Sequence, residues 1–174
     1  REKYDITVAD LQIAATTERL DEAGWQRARD ANALTAAFAM SDDDIERPLA
    51  TPWIMVGSDA ILERTHNNLP RASGCFSRVL GHYVRELKLM SLETAVHKMT
   101  GLTARVFGLR DRGELRAGAF ADVVLFDPAT VLDAGDFAKP AVPSIGIHQV
   151  FVNGTRVWAD GSVSGAKPGR VLRR

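Results

Sequence analysis

The chain has 174 residues, 45% of them apolar and 25% charged, values of an ordinary folded protein that exclude a disordered one. Lysine plus arginine and aspartate plus glutamate each number 22, so the formal net charge is zero and the balance argues against nucleic acid or an anionic membrane as partner. No apolar run approaches the roughly 18 residues of a membrane span, and the single cysteine, Cys75, can form no internal disulfide, so a cytoplasmic location is the default expectation. The opening Arg1-Glu2-Lys3-Tyr4-Asp5 has neither an initiator methionine nor signal-peptide character, and reads as part of a longer protein.

Thr7-Val8-Ala9-Asp10 has the form of a capping box, which predicts a helix from about Val8. Leu20, Ala23, Trp25 and Ala28 give a second, weaker helical pattern within 20–32. Leu34 to Met40 is a near-continuous apolar run and is read as a strand. Ser41-Asp42-Asp43-Asp44 is another helix start, its carboxylates suited to the positive end of the helix dipole. Adjacent carboxylates on a helix do not converge on a metal, and Pro48 limits this helix to about two turns. Trp53-Ile54-Met55-Val56 is a short unbroken apolar run, which suits a strand buried on both faces. Strand, helix and strand in that order predict a βαβ unit and a parallel pair.

Gly57-Ser58-Asp59 then releases the chain from the predicted strand. Ligands and catalytic groups collect at the C-terminal ends of parallel strands, so Asp59 is the leading site candidate. The alternative is a helix N-cap, a position that aspartate also fills well. From Ala60 to Ser73 the chain is polar and irregular, and a loop this long is more often functional than a plain connection. His66 and Arg71 are its groups of interest; the arginine could grip a carboxylate bidentately or simply face solvent.

Phe76, Val79, Leu80, Tyr83, Val84 and Leu87 follow helical spacing, and Leu92, Ala95, Val96 and Met99 repeat it after a Ser91 cap. Gly101 interrupts, and Leu102 to Leu109 adds a further turn or two. His82 and His97 fall on polar faces and read as surface residues, while Cys75 reads as a packing residue with no identifiable base. From Arg112 glycine and proline punctuate short apolar runs. Ala121 to Asp127 is a strand, and Ile147–Val152 with Thr155–Trp158 flank Asn153-Gly154, the strongest two-residue hairpin signal. The basic end, Arg170 to Arg174, reads as a solvated terminus.

Several of these stretches resemble the N-acyl-D-amino-acid deacylases (D-aminoacylases) of the amidohydrolase superfamily. They are Val56-Gly57-Ser58-Asp59, Pro70-Arg71, Phe76-Ser77-Arg78-Val79-Leu80-Gly81 and Lys98-Met99-Thr100-Gly101-Leu102, with Gly118 to Asp127 and Val150-Phe151-Val152-Asn153-Gly154 further on. The resemblance implies an α/β fold. Residues 1–112 would be the C-terminal strands and helices of a metal-dependent (β/α)8 barrel, and 113–174 part of a small β-sandwich module. It implies a zinc-dependent hydrolase of linear amides. Asp59 matches the carboxylate at the end of the last barrel strand, the general acid/base that takes a proton from metal-activated water and returns one to the departing amine. It could also be a weak or outer ligand of the zinc. Arg71 matches the arginine that binds the α-carboxylate of a small N-acyl-amino-acid substrate.

The chain departs from that pattern in one respect. Its four histidines, His66, His82, His97 and His148, contain no His-x-His pair, whereas a catalytic zinc needs about three protein ligands. The expectation is therefore a C-terminal segment whose zinc ligands lie mostly in the remainder of the parent barrel, inactive in isolation and prone to aggregate through unpaired edges. Two other readings are a non-catalytic structural fragment and a cyclic-amide hydrolase of the dihydroorotase or hydantoinase kind.

Overall fold

The structure is a computed structural model that describes residues 6–14, 16–60, 69–159 and 161–172. The capping box forms as read. The backbone N–H of Thr7 (2.7 Å) and its hydroxyl (2.9 Å) both donate to Asp10 Oδ2. The turn it closes, however, is a single 3-10 turn over Val8–Asp10 rather than a longer helix. The chain passes at once into strand β1 (Leu11–Ile13), which pairs antiparallel with β2 (Thr35–Ala37), Leu11 opposite Ala37. The sheet partner overrides the local helix signal. Between them lies α1 (Glu22–Asp30), whose N-cap Asp21 accepts the Gly24 N–H at 2.6 Å. Ala28 of α1, Val8 and Leu20 are the buried residues of a small local core.

Helix α2 (Asp42–Ala50) starts at Ser41, whose hydroxyl accepts the Asp44 N–H at 3.3 Å while Asp44 Oδ2 takes the Ser41 N–H at 2.9 Å. It runs past Pro48 by two residues, close to the predicted length. The predicted βαβ unit does not form among the described residues. β2 has an antiparallel partner, β1, and 53–56 is not a strand. A strand persists only where neighbours take up its N–H and C=O groups. Trp53 is 75% exposed, and only Val56 of the run packs against the main core.

That core is built by the helical signals that were clearest in the sequence. Helix α3 (Arg71–Arg78) continues directly into a π-helix (Val79–Glu86), followed by α4 (Leu92–Met99) and α5 (Gly101–Val106). Val79, Leu80 and Ala95 enclose Val131, which is fully buried. The approach is close: a Cβ on Gly81 would stand 2.5 Å from the Val131 carbonyl oxygen, and Arg85 donates to the same oxygen at 2.6 Å.

The C-terminal part forms an antiparallel four-stranded sheet of β3 (Val123–Phe126), β4 (Ile147–Val152), β5 (Thr155–Ala159) and β6 (Ser162–Val163), in that order. The predicted hairpin is β4–β5. Asn153 (φ 48°) and Gly154 (φ 79°) both take the left-handed conformation that a tight hairpin turn demands. Arg112 joins the sheet to the preceding helices. Its guanidinium pairs with Asp122, donates to Asn153 Oδ1 at 2.6 Å and lies over the Phe120 ring. Asp122 Oδ1 in turn accepts the Asn153 N–H at 2.8 Å. The Ala-Asp-Val-Val and Val-Asn-Gly stretches are therefore two halves of one structural joint.

Candidate active site

Asp59 and Arg71, singled out separately in the sequence, are in contact. Arg71 Nε donates to the Asp59 carbonyl oxygen at 2.9 Å, and Arg71 Nη2 lies 2.8 Å from Asp59 Oδ2. One guanidinium thus holds both the backbone and the side chain of the same residue. Its position is set by the local sequence: Pro70, with φ fixed near −65° by its ring, sets the entry to α3, and Arg71 is the first helical residue.

A second tie comes one turn along α3. The Cys75 thiol lies 3.8 Å from the Gly57 carbonyl oxygen. Burial pushes the Cys75 thiol up from its ordinary value, which favours the neutral form. Residues four apart lie on one helix face, so Arg71 and Cys75 together hold the 57–59 backbone against α3. Val56 packs into the main core just before it.

Asp59 itself sits at φ +48°, in the left-handed region. Asp and Asn enter that region more readily than other side chains, but it still costs about 1 kcal/mol. Its side chain is 84% exposed and that of Arg71 43%. An ion pair this open adds at most about 1 kcal/mol to stability, so stability is a poor reason for the pairing. The N-cap alternative concerns the stretch directly after Asp59, where residues 61–68 lie outside the described residues; the Asp59 carboxylate itself is on Arg71.

The other candidates are not gathered here. His66 lies outside the described residues. His82 Nδ1 makes an i,i+4 contact with Glu86 Oε2 at 2.9 Å, and that hydrogen bond holds the Glu86 carboxyl below its usual range. His97 is exposed on α4. No three His, Cys, Asp or Glu side chains among the described residues are grouped to hold a metal. Asp59, with one oxygen already on Arg71, offers one ligand at most, so these residues do not by themselves fit a catalytic zinc. A cleft of about 550 Å3 exists elsewhere, between Ser73 of α3 and the Trp158 side of the sheet; its lining is mostly apolar and includes neither Asp59 nor Arg71.

One residue escaped the sequence reading. Lys98, on α4, is fully buried, and its ammonium donates to the Leu49 and Thr51 carbonyl oxygens at 2.7 and 2.5 Å. Its spacing was the available signal, since it stands three residues after Ala95 on the buried stripe of α4.

The model of the amidohydrolase family matches residues 4–158. The chain belongs to the amidohydrolase family. It is 53% identical over 139 residues to a D-aminoacylase of Alcaligenes xylosoxydans xylosoxydans, covering 79% of this chain and 28% of that protein. It is 49% identical over 153 residues to an N-acyl-D-aspartate deacylase of the same organism, covering 87% of this chain and 30% of the relative. Among solved structures, the N-acyl-D-glutamate deacylase of Bordetella bronchiseptica, complexed with zinc and a phosphonate mimic of the tetrahedral intermediate, matches with a TM-score of 0.82. The identity is 42%, over 97% of this chain and 38% of that one. A D-aminoacylase crystal structure matches at TM-score 0.77 and 50% identity, over 82% of this chain and 30% of that chain. This family member thus has an amidohydrolase fold of mixed helix and sheet, and it spans 28% and 30% of the length of the two Alcaligenes relatives.

Proposed function

We propose that this chain supplies the proton-carrying carboxylate and the substrate-gripping arginine of a hydrolase that deacylates N-acyl-D-amino acids. In this reading residues 1–112 belong to the closing part of a (β/α)8 barrel, and 113–174 to a small accessory β-sandwich. The observation that carries it is the contact of Asp59 with Arg71, two exposed groups joined through side chain and backbone.

Amide hydrolysis needs a group that removes a proton from the attacking water and returns one to the departing nitrogen. A carboxylate within reach of both does this and typically contributes about 10²–10⁴ in rate. Asp59 has the required exposure, with its side chain 84% accessible. Arg71 already engages one carboxylate at 2.8 Å. The same planar fork suits the α-carboxylate of an N-acyl-amino acid, which would fix the scissile amide beside Asp59. Zinc belongs to this reading because a close relative was solved with it; its ligands would come from outside the described residues.

The test is Asp59→Asn in the full-length enzyme. Asparagine tolerates the same left-handed backbone, so the melting temperature should hold while kcat drops by about 10²–10⁴. Retention of near-wild-type kcat would remove Asp59 from the mechanism. Turnover of cyclic amides in preference to N-acyl-D-amino acids would replace the substrate class.

A further inference from the structure

We infer that Lys98 is a positioning residue for Asp59, a role that rests on the reading of Asp59 as the proton carrier. Lys98 is fully buried on α4, three residues after Ala95 of the main core. An ammonium removed from water is costly unless its protons are taken up by acceptors. Here the acceptors are the carbonyl oxygens of Leu49 (2.7 Å) and Thr51 (2.5 Å), and among the described residues Lys98 joins no ion pair. Those oxygens lie at the C-terminal end of α2, where carbonyls lack helical partners and the dipole is negative. Burial pushes the Lys98 amine below its ordinary value, as expected of a charge without a carboxylate beside it.

A buried lysine spent on two backbone oxygens fixes where the chain leaves α2. The next stretch, from Pro52 to Asp59, has no strand ladder and a largely exposed start at Trp53. Among the described residues it is held by Val56, which packs on the main core, and at its two ends. Arg71 and Cys75 hold Gly57 and Asp59 at one end, and Lys98 holds Thr51 at the other. Lys98 lies 47 residues from Thr51 in sequence, so the clamp also registers α4, and the core behind it, to the carboxylate-bearing segment. Reaction geometry is sensitive to displacements of about 1 Å, which can cost roughly a hundredfold in rate.

The experiment is Lys98→Met in the full-length enzyme, alone and combined with Asp59→Asn, with Lys98→Gln as a second variant that keeps an uncharged NH2 donor should the first fail to fold. The expected result has three parts: kcat falls by about tenfold to a hundredfold with KM within about twofold; amides of 53–59 exchange faster, while those of β4 and β5 do not; and the double variant is no slower than Asp59→Asn alone, because both changes act on one group. Unchanged kcat and exchange in a folded Lys98 variant, or losses that multiply in the double variant, would overturn the inference. Should Asp59→Asn alone keep its kcat, the Asp59 reading fails; the exchange at 53–59 then still reports whether Lys98 holds the segment.

Discussion

Two regions of this chain are held together in different ways. In the second half, α3 with its π-helical continuation, α4, α5 and the strands β3–β6 are fixed by repetitive, mutually supporting contacts. A helix ladder, a sheet ladder and the joint of Arg112, Asp122 and Asn153 surround a core in which Val131 is fully buried. The stretch from Pro52 to Asp59 joins no ladder among the described residues and is held by Val56 on the core and by a few individual ties made by Lys98, Cys75 and Arg71. The proposed proton carrier sits on the lightly held region and most of the stability in the other. A carboxylate that must move protons has to face outward, and outward-facing groups contribute little to folding.

That contrast can be broken by substitution, and the largest effect is expected deep in the stable half. Gly146 has φ +72° and backbone of Val131 2.5 Å from where a Cβ would stand, so Gly146→Ala should destabilise by about 3 kcal/mol or more. A denaturant titration of the full-length protein with an unshifted midpoint would show that this half is loosely packed after all. Arg112→Met should cost about 2 kcal/mol, since it strands the partly shielded Asp122 carboxylate and the Asn153 amide oxygen.

The same joint has a pH signature. Partial burial pushes the Asp122 carboxyl up, but the Asn153 N–H and the Arg112 guanidinium outweigh it and hold the group below its ordinary value of 3.8. A carboxyl lowered in the folded state lends stability that is full above 3.8 and is lost as the pH falls through the lowered value. Asp122→Asn should flatten that part of the stability–pH profile, and an unchanged acid limb would contradict the assignment.

Smaller effects are expected toward the site. Ser41→Ala removes the cap of α2 and should cost about 1 kcal/mol, read as a shift in melting temperature. Arg71→Ala should change stability by less than about 1 kcal/mol yet, on the proposed reading of Arg71 as the group that binds the substrate carboxylate, raise KM for an N-acyl-D-amino acid by tenfold or more. At the end of the scale, Gly57→Ala meets nothing within 4 Å and should stay within about 0.5 kcal/mol of wild type. A large loss there would mean the 57–59 segment is packed far more tightly than its few ties suggest.

The chain's own pattern was sufficient where the interaction is local. The Ser41 and Ser91 caps and the Asn153-Gly154 turn each depend on residues within a turn of one another, and each formed as read, whereas the Phe76-to-Leu87 periodicity gave a helix that turns π-helical from Val79 and leaves Phe76 and Leu87 exposed. Asp59 and Arg71 could be nominated individually, as a carboxylate after an apolar run and an arginine in a long loop. Sequence also suggested a helix at Val8 and a strand at Trp53, and both were altered by partners. β1 found β2 and became a strand, while 53–56 has no ladder and did not. Only the tertiary structure decided that Asp59 and Arg71 touch, that the Asp-Val-Val and Asn-Gly stretches share one arginine, and that Lys98 turns inward to the end of α2. Hydrogen bonds across such distances along the chain depend on where the folded backbone brings carbonyls and charges, and linear spacing carries no record of that.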